Sequence, residues 1–390
     1  MNTDLELTLK HLKALIACDT SNPPRRTEQS GLIDYLKSLD FIEPQVTDLG
    51  EGSFNILLTK GSPKYLVNVH LDTVPAGDAW QSNPHELIIQ KGKAIGLGAC
   101  DIKGAAACLL TLLERGLNDY AILFSTDEEA GQSTCIKEYI KTKPVFEGII
   151  VAEPTQNKAV TCHRGILTGT QEFFGLAGHS SEHRAMTDNA IHKLTRWSDA
   201  ALKVAQSYNE TSFKDLKGIA FNLGIVEGGI KPNIIADHAQ VKFGMRPLPG
   251  QSFDELLKKI NTESVENNSK FTSGFIAPAL PASGNIEDLE SFAHELDLNL
   301  SSPVSFWTEA SLFSEAGYRA IVYGPGDIAD AHSIRNVDRE IEQTLTDLLK
   351  KIQHIAEKIQ KNTSTMIPDQ QFLTQDQVAT TVLTLSDDDQ

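Results

Sequence analysis

The stretch Tyr65-Leu66-Val67-Asn68-Val69-His70-Leu71-Asp72-Thr73-Val74-Pro75 decides how the first half of the chain is read. It begins as a short apolar run whose valines, branched at Cβ, suit an extended strand. The run then ends in His-x-Asp and breaks at a proline. A buried strand stopping there leaves an imidazole and a carboxylate at its carboxyl end, the edge at which open α/β sheets bind their ligands.

The surrounding sequence repeats the pattern. Asn55–Thr59, Ala121–Ser125 and Gly148–Val151 are further short apolar runs. The last two, with Tyr65–Val69, are bounded by turn signals or charges, as buried parallel strands are. Leu5–Ile16 carries apolar residues at helical spacing and is followed by the turn cluster SNPPRR, and Gly31–Leu39 reads as a second helix. Gly104–Glu114 (GAAACLLTLLE) is a helix of small residues suited to close packing on a sheet. Strands alternating with helices make an α/β fold.

From about residue 163 the rhythm changes. Ile166–Leu176 reads as a strand, Thr187–Ser207 as a helix, Ile219–Val226 and Ala236–Met245 as strands, Phe253–Val265 as a helix and Phe271–Ala277 as a strand. The order β-α-β-β-α-β is the ferredoxin-like unit. Helix and strand patterns then resume in Ile286–Leu296, Ala320–Tyr323 and Asp338 to Gln360. The predicted organisation is therefore an α/β domain over 1–162 and 279–362, with an α+β domain inserted over 163–278. The tail 363–390 holds five Asp and no Lys or Arg, and is expected to be disordered.

A length of 390 residues fits two domains. Lys and Arg number 35 against 52 Asp and Glu, a formal net charge of −17, which argues against a nucleic-acid or anionic-membrane partner. No apolar window is long enough to span a bilayer, and MNTDLELTLK lacks the apolar core of a secretory signal, so a cytoplasmic location is expected. The five scattered cysteines read as reduced thiols. Cys100, beside Asp101 in a glycine-rich turn, could serve as a nucleophile, but no His/Asn pattern marks it as one.

Chemistry gathers at the strand ends. His70 and Asp72 close one strand; Asp101 lies in GLGACDIKG before the small-residue helix; Asp127-Glu128-Glu129 follow Ala121–Ser125; Glu153 follows Gly148–Val151; His332 follows Gly324-Pro325-Gly326. Singly, each histidine is more often a satisfied or surface residue than a ligand, and an acidic triplet is usually a solvated turn. Together they form a set of nitrogen and oxygen ligands suited to zinc or another borderline metal. Crowded carboxylates repel one another in a dry cleft, and cations remove that cost.

HLDTVP, GLGACDIKG, STDEEAG, VAEPT and the late Ala331-His332 together resemble the M20 family of di-zinc peptidases and amidohydrolases. The resemblance covers nearly all of the chain except the tail. It implies a zinc-peptidase-like catalytic domain, with the inserted domain acting as lid and dimerisation module of a homodimer. It implies two divalent metal ions, zinc first, with cobalt as a substitute. His70 and Glu153 would bind one, Glu129 and His332 the other, and Asp101 would bridge them. Glu128 matches the general base, in a run that Asp127 lengthens, and Asp72 the carboxylate that orients His70. In GLAGHS, His179 matches the histidine that reaches the partner's active site to stabilise the oxyanion. Asn233 of KPN and Arg246 of MRPLPG match substrate contacts, Arg246 as a clamp for an α-carboxylate, with a structural salt bridge as its bland alternative.

YLVNVHLDTVP, HRGI, FNLGIVEGGIKPN, FWTEASLFS and YGPGDIADAH look most like the branch of acetylornithine and N-acetylcitrulline deacetylases, the last two like the citrulline type. The implied reaction releases acetate from an N-acetyl amino acid in arginine biosynthesis. An acidic pocket residue, for which Glu309 is a candidate, would favour the ammonium of ornithine over a neutral ureido group. After His332 the chain reads SIRNVD, without the family's common Asn-Glu pair. The alternatives are another amidohydrolase of the family, such as a desuccinylase or dipeptidase, and a catalytically inactive metal-binding homologue.

Overall fold

Strand Tyr65–His70 lies between two parallel neighbours, and that placement organises the first half of the molecule. The computed structural model describes residues 3–78, 80, 82–90, 93–264 and 268–331. With Gln45–Asp48 as β1, Phe54–Lys60 as β2, Tyr65–His70 as β3, Tyr120–Ser125 as β4 and Gly148–Val151 as β5, the sheet runs β1-β2-β4-β3-β5 and is completed by Ala320–Val322. β3 pairs in parallel with β4, setting His70 opposite Ser125, and with β5, setting Asn68 opposite Val151. β2 joins β4, and β1 joins β2, in antiparallel register. Every residue of β4 and β5 is buried, which is why their sequences are almost unbroken apolar runs.

Helix Thr3–Ala17 packs on the small-residue helix Gly104–Glu114, all of whose residues up to Leu113 are buried. A Cβ on Gly104 would lie 2.5 Å from the carbonyl oxygen of Ala99, so only glycine allows the turn that delivers Asp101 to enter this helix.

The described residues divide into two compact units, and Ala159–Ala293 with Leu300–Ile321 form the second. Its four-stranded sheet is built from Ile166–Phe174 (β6), Ala220–Gly228 (β7), His238–Arg246 (β8) and Ser269–Ala277 (β9), in the order β7-β8-β6-β9 with all neighbours antiparallel. β6 and β8 alternate inward and outward residues. Their inner face packs with helices Ala190–Gln206 and Phe253–Ser264 around Phe173, Trp197, Val241, Phe243 and Ile260. The β-α-β-β-α-β order is the one expected. The first helix starts at Ala190 rather than Thr187, because Asn189 is extended and its side-chain oxygen accepts from the backbone N–H of Ile191 and His192. This unit runs past residue 278: His163 bridges to Leu280 and to Val304. The helix expected from Asp338 and the tail from 363 lie outside the described residues.

Candidate metal centre

Because β3, β4 and β5 are parallel, their carboxyl ends lie on one edge. His70 is the last residue of the middle strand; Glu128 and Glu129 follow one neighbour and Glu153 the other. Asp101 arrives from the turn before Gly104. His70 Nε2 lies 3.1 Å from Asp101 Oδ1 and 3.8 Å from Glu153 Oε1, all three side chains being buried. Half-buried Glu128 and Glu129 each bring one oxygen to within 4.8 Å of each other and of a ring nitrogen of His70. Gly324 helps hold this edge: a Cβ there would stand 2.5 Å from the backbone oxygen of Glu153. His332 lies outside the described residues.

The acidic triplet splits by direction. Asp127 is fully buried and turns away from the cluster, accepting from the backbone N–H of Thr134 at 2.7 Å and Cys135 at 3.2 Å, the first turn of helix Thr134–Lys141. Burial, with the nearby Asp72 charge, raises its carboxyl above the usual range against those hydrogen bonds. Asp72 is fully buried too. His70 Nδ1 lies 3.1 Å from the backbone oxygen of Asp72 and 3.6 Å from its carboxylate. The closer donors to that carboxylate are the backbone N–H of Glu129 at 3.0 Å and of Glu128 at 3.2 Å, and the side-chain amide of Asn22 at 3.0 Å. Asp72 thus holds the Glu128–Glu129 turn as well as facing His70.

Two residues here carried no assignment from sequence. Asn22 sits in SNPPRR, which reads as a plain turn. Lys103 is wholly buried, with its ammonium donating to the backbone oxygen of Cys18 at 2.9 Å. Burial pushes Lys103 down to about 8, against the opposing pull of Cys18, Asp19 and Asp72. Its neighbour Asp101 was legible as a strand-edge acid, whereas a lysine in a glycine-rich turn carries no sign that it will be buried.

The donor set fits a divalent cation. One imidazole nitrogen and carboxylate oxygens converge in a buried place, the chemistry that zinc accepts. Burial alone would lower His70, but its hydrogen bonds to Asp101 and Asp72 and the Glu153 charge outweigh this and raise it well above the ordinary value. The pocket therefore favours positive charge where His70 meets the acids.

In the second unit, strand Gly178–His179 pairs antiparallel with Ile234–Ile235, and the N–H of Ser180 donates to the backbone oxygen of Asn233 at 3.1 Å. This brings exposed His179 and Asn233 to one end of the pair. The N–H of Ser181 donates to His179 Nδ1 at 3.3 Å, and its hydroxyl lies 2.7 Å from the same atom. With Nδ1 accepting, the neutral ring carries its proton on Nε2. Arg246, half-buried at the end of β8, has no carboxylate within ion-pair distance among the described residues. Glu309 is buried, one residue from Thr308, whose hydroxyl lies 3.0 Å from His163 Nε2. Cys100 donates to the backbone oxygen of Asp327, and none of the five cysteines forms a disulfide.

Fold and site define a class: an α/β protein with a candidate metal centre at the carboxyl edge of its sheet and a ferredoxin-like companion unit. Residues 161–271 match the peptidase dimerisation domain of the M20 family. The chain is 43% identical over 338 residues to N-acetyl-L-citrulline deacetylase of Xanthomonas campestris pv. campestris, covering 84% of this chain and 92% of that one. It is 28% identical over 358 residues to acetylornithine deacetylase of Proteus mirabilis, covering 85% and 92%. The fold of the M20 family metallo-carboxypeptidase Sso-CP2 from Sulfolobus solfataricus superposes with a TM-score of 0.65 at 16% identity, over 92% of this chain and 99% of that one. The chain belongs to the M20 family of metallo-amidohydrolases. No helix among the described residues is long and apolar enough to cross a membrane.

Proposed function

We propose that the chain hydrolyses the amide bond of an N-acetyl amino acid, N-acetylcitrulline before N-acetylornithine, releasing acetate and the free amino acid. The observation that carries this is the 43% identity to N-acetyl-L-citrulline deacetylase across almost its whole length. His70, Asp101, Glu153, Glu129 and His332 would hold two divalent cations, zinc by donor chemistry, with cobalt able to replace it. Such cations polarise a carbonyl and make a water acidic at neutral pH.

The chain's own residues supply the rest. Glu128 accepts the proton of the attacking water and passes it to the leaving amine. Asp72 holds the backbone of that glutamate in place. Nε2–H of His179 donates to the oxyanion, reaching it from the partner subunit of a homodimer. Arg246, a half-buried guanidinium with no acid beside it among the described residues, clamps the substrate's α-carboxylate in two-pronged fashion. The edge strand β7 suits the dimer, since Ile225 and Val226 on it and nearby Ile230 are exposed.

The test is release of acetate by metal-loaded protein from N-acetylcitrulline, N-acetylornithine and N-acetylmethionine, and of succinate from N-succinyl-diaminopimelate, with Arg246→Ala alongside. The expected result is turnover of the citrulline derivative first, with KM raised about tenfold or more by Arg246→Ala, as loss of a charge-assisted pair costs. Cleavage of the succinyl substrate alone would refute the reading.

A further inference from the structure

The segment after the first helix is part of the site. Thr20-Ser21-Asn22 runs beside Leu71-Asp72-Thr73: Ser21 bridges Thr73 in parallel, the N–H of Asn22 donates to Thr73 oxygen at 2.8 Å, and that of Thr73 to Thr20 oxygen at 3.2 Å. The Thr20 hydroxyl donates to Leu71 oxygen at 2.6 Å. Asn22 precedes proline, which favours the extended backbone this pairing needs.

The pairing aims one side chain. Asn22, 1% exposed, donates its amide to Asp72 Oδ2 at 3.0 Å and lies 3.5 Å from the backbone oxygen of Thr126. The same carboxylate oxygen accepts the N–H of Glu129, and its twin that of Glu128. The amide orientation is decided by charge, because turning it over would set its oxygen against the carboxylate. In this orientation Asn22 Oδ1 is buried with no hydrogen-bond partner among the described residues.

We infer that Asn22 is a positioning residue for the reaction: its amide fixes the Asp72 carboxylate, which fixes the Glu128–Glu129 backbone and hence the base. This rests on the reading of Glu128 as base. Asn22→Asp keeps the shape but replaces the donor with a like charge; Asn22→Ala removes the donor and leaves a gap. A packing role makes the isosteric Asn22→Asp the milder change, whereas a positioning role makes it at least as severe.

The experiment is amide hydrogen exchange at Glu128 and Glu129 in both variants without metal, paired with kcat, KM and bound-metal stoichiometry after loading. Expected is exchange faster by about tenfold or more at those two amides, as loss of a charge-assisted bond predicts, with β6 unchanged. Also expected is kcat down by about tenfold or more with KM nearly constant, the mark of a lost transition-state contact, and metal stoichiometry retained. Unchanged exchange, unchanged kcat, or Asn22→Asp more active than Asn22→Ala overturns the inference. If Asn22→Asp fails to fold, exchange and kcat in Asn22→Ala decide alone. Full turnover by Glu128→Gln overturns the underlying reading separately, since exchange at the two amides does not depend on which group is the base.

Discussion

Acid should weaken the second unit through His163. This imidazole is fully buried, with Nδ1 2.8 Å from the backbone oxygen of Arg164, to which it donates, and Nε2 accepting from the Thr308 hydroxyl at 3.0 Å. Both nitrogens are used by the neutral ring, so a second proton would bring an uncompensated charge into this buried place and turn the Thr308 hydroxyl from donor to acceptor. Burial pushes His163 down to about 4, and the nearby Arg246 charge adds to this, against the hydrogen bond to Arg164. In the unfolded chain it returns to about 6.5. Between those values the unfolded state binds a proton that the native state refuses, so stability falls as pH drops from about 6.5 to 4. At 1.36 kcal/mol per pKa unit the loss approaches roughly 3 kcal/mol.

Urea unfolding followed by tryptophan fluorescence suits the measurement, because Trp197 and Trp307, both buried, lie in this unit. His163→Gln should be less stable at pH 7 and should lose this component of the pH dependence. Identical slopes for wild type and variant from pH 6.5 to 4 would refute the reasoning.

Two further outcomes test the site and its support. Glu128→Gln should keep its bound metal and lose turnover by about 10²–10⁴, the range of general-base catalysis; wild-type turnover would remove Glu128 from that role. Asp127→Ala should lower stability by about 1–3 kcal/mol, because the N–H groups of Thr134 and Cys135 lose their acceptor. An unchanged thermal midpoint in that variant would show that the cap contributes nothing.

Much of this site is legible in the chain because its signals are local. An apolar run that stops on His70, or that leads into Glu128-Glu129 or Glu153, announces a polar side chain at a strand end. Parallel pairing then needs no further information to bring those ends to one edge. The β-α-β-β-α-β unit is legible for the same reason: its alternating strands and amphipathic helices carry their periods in the sequence. The start of the helix at Ala190 was not, because a single extended residue, Asn189, separates two segments that both favour helix.

Asp127, Glu128 and Glu129 are consecutive acids of similar chemistry, and nothing in their order says which one turns into a helix terminus. Backbone direction after β4 decides that Asp127 caps Thr134–Lys141 while its neighbours face His70. Asn22 and Asp72 are 50 residues apart, and Lys103 and Cys18 are 85 apart. Hydrophobic period and turn chemistry are properties of a few consecutive residues, so the sequence alone determined the strands, the helices and the acids at their ends. A hydrogen bond between distant segments depends on how the layers stack. Only the tertiary structure decided that the SNPPRR turn supports the Asp72 carboxylate and that Lys103 is buried beside this site.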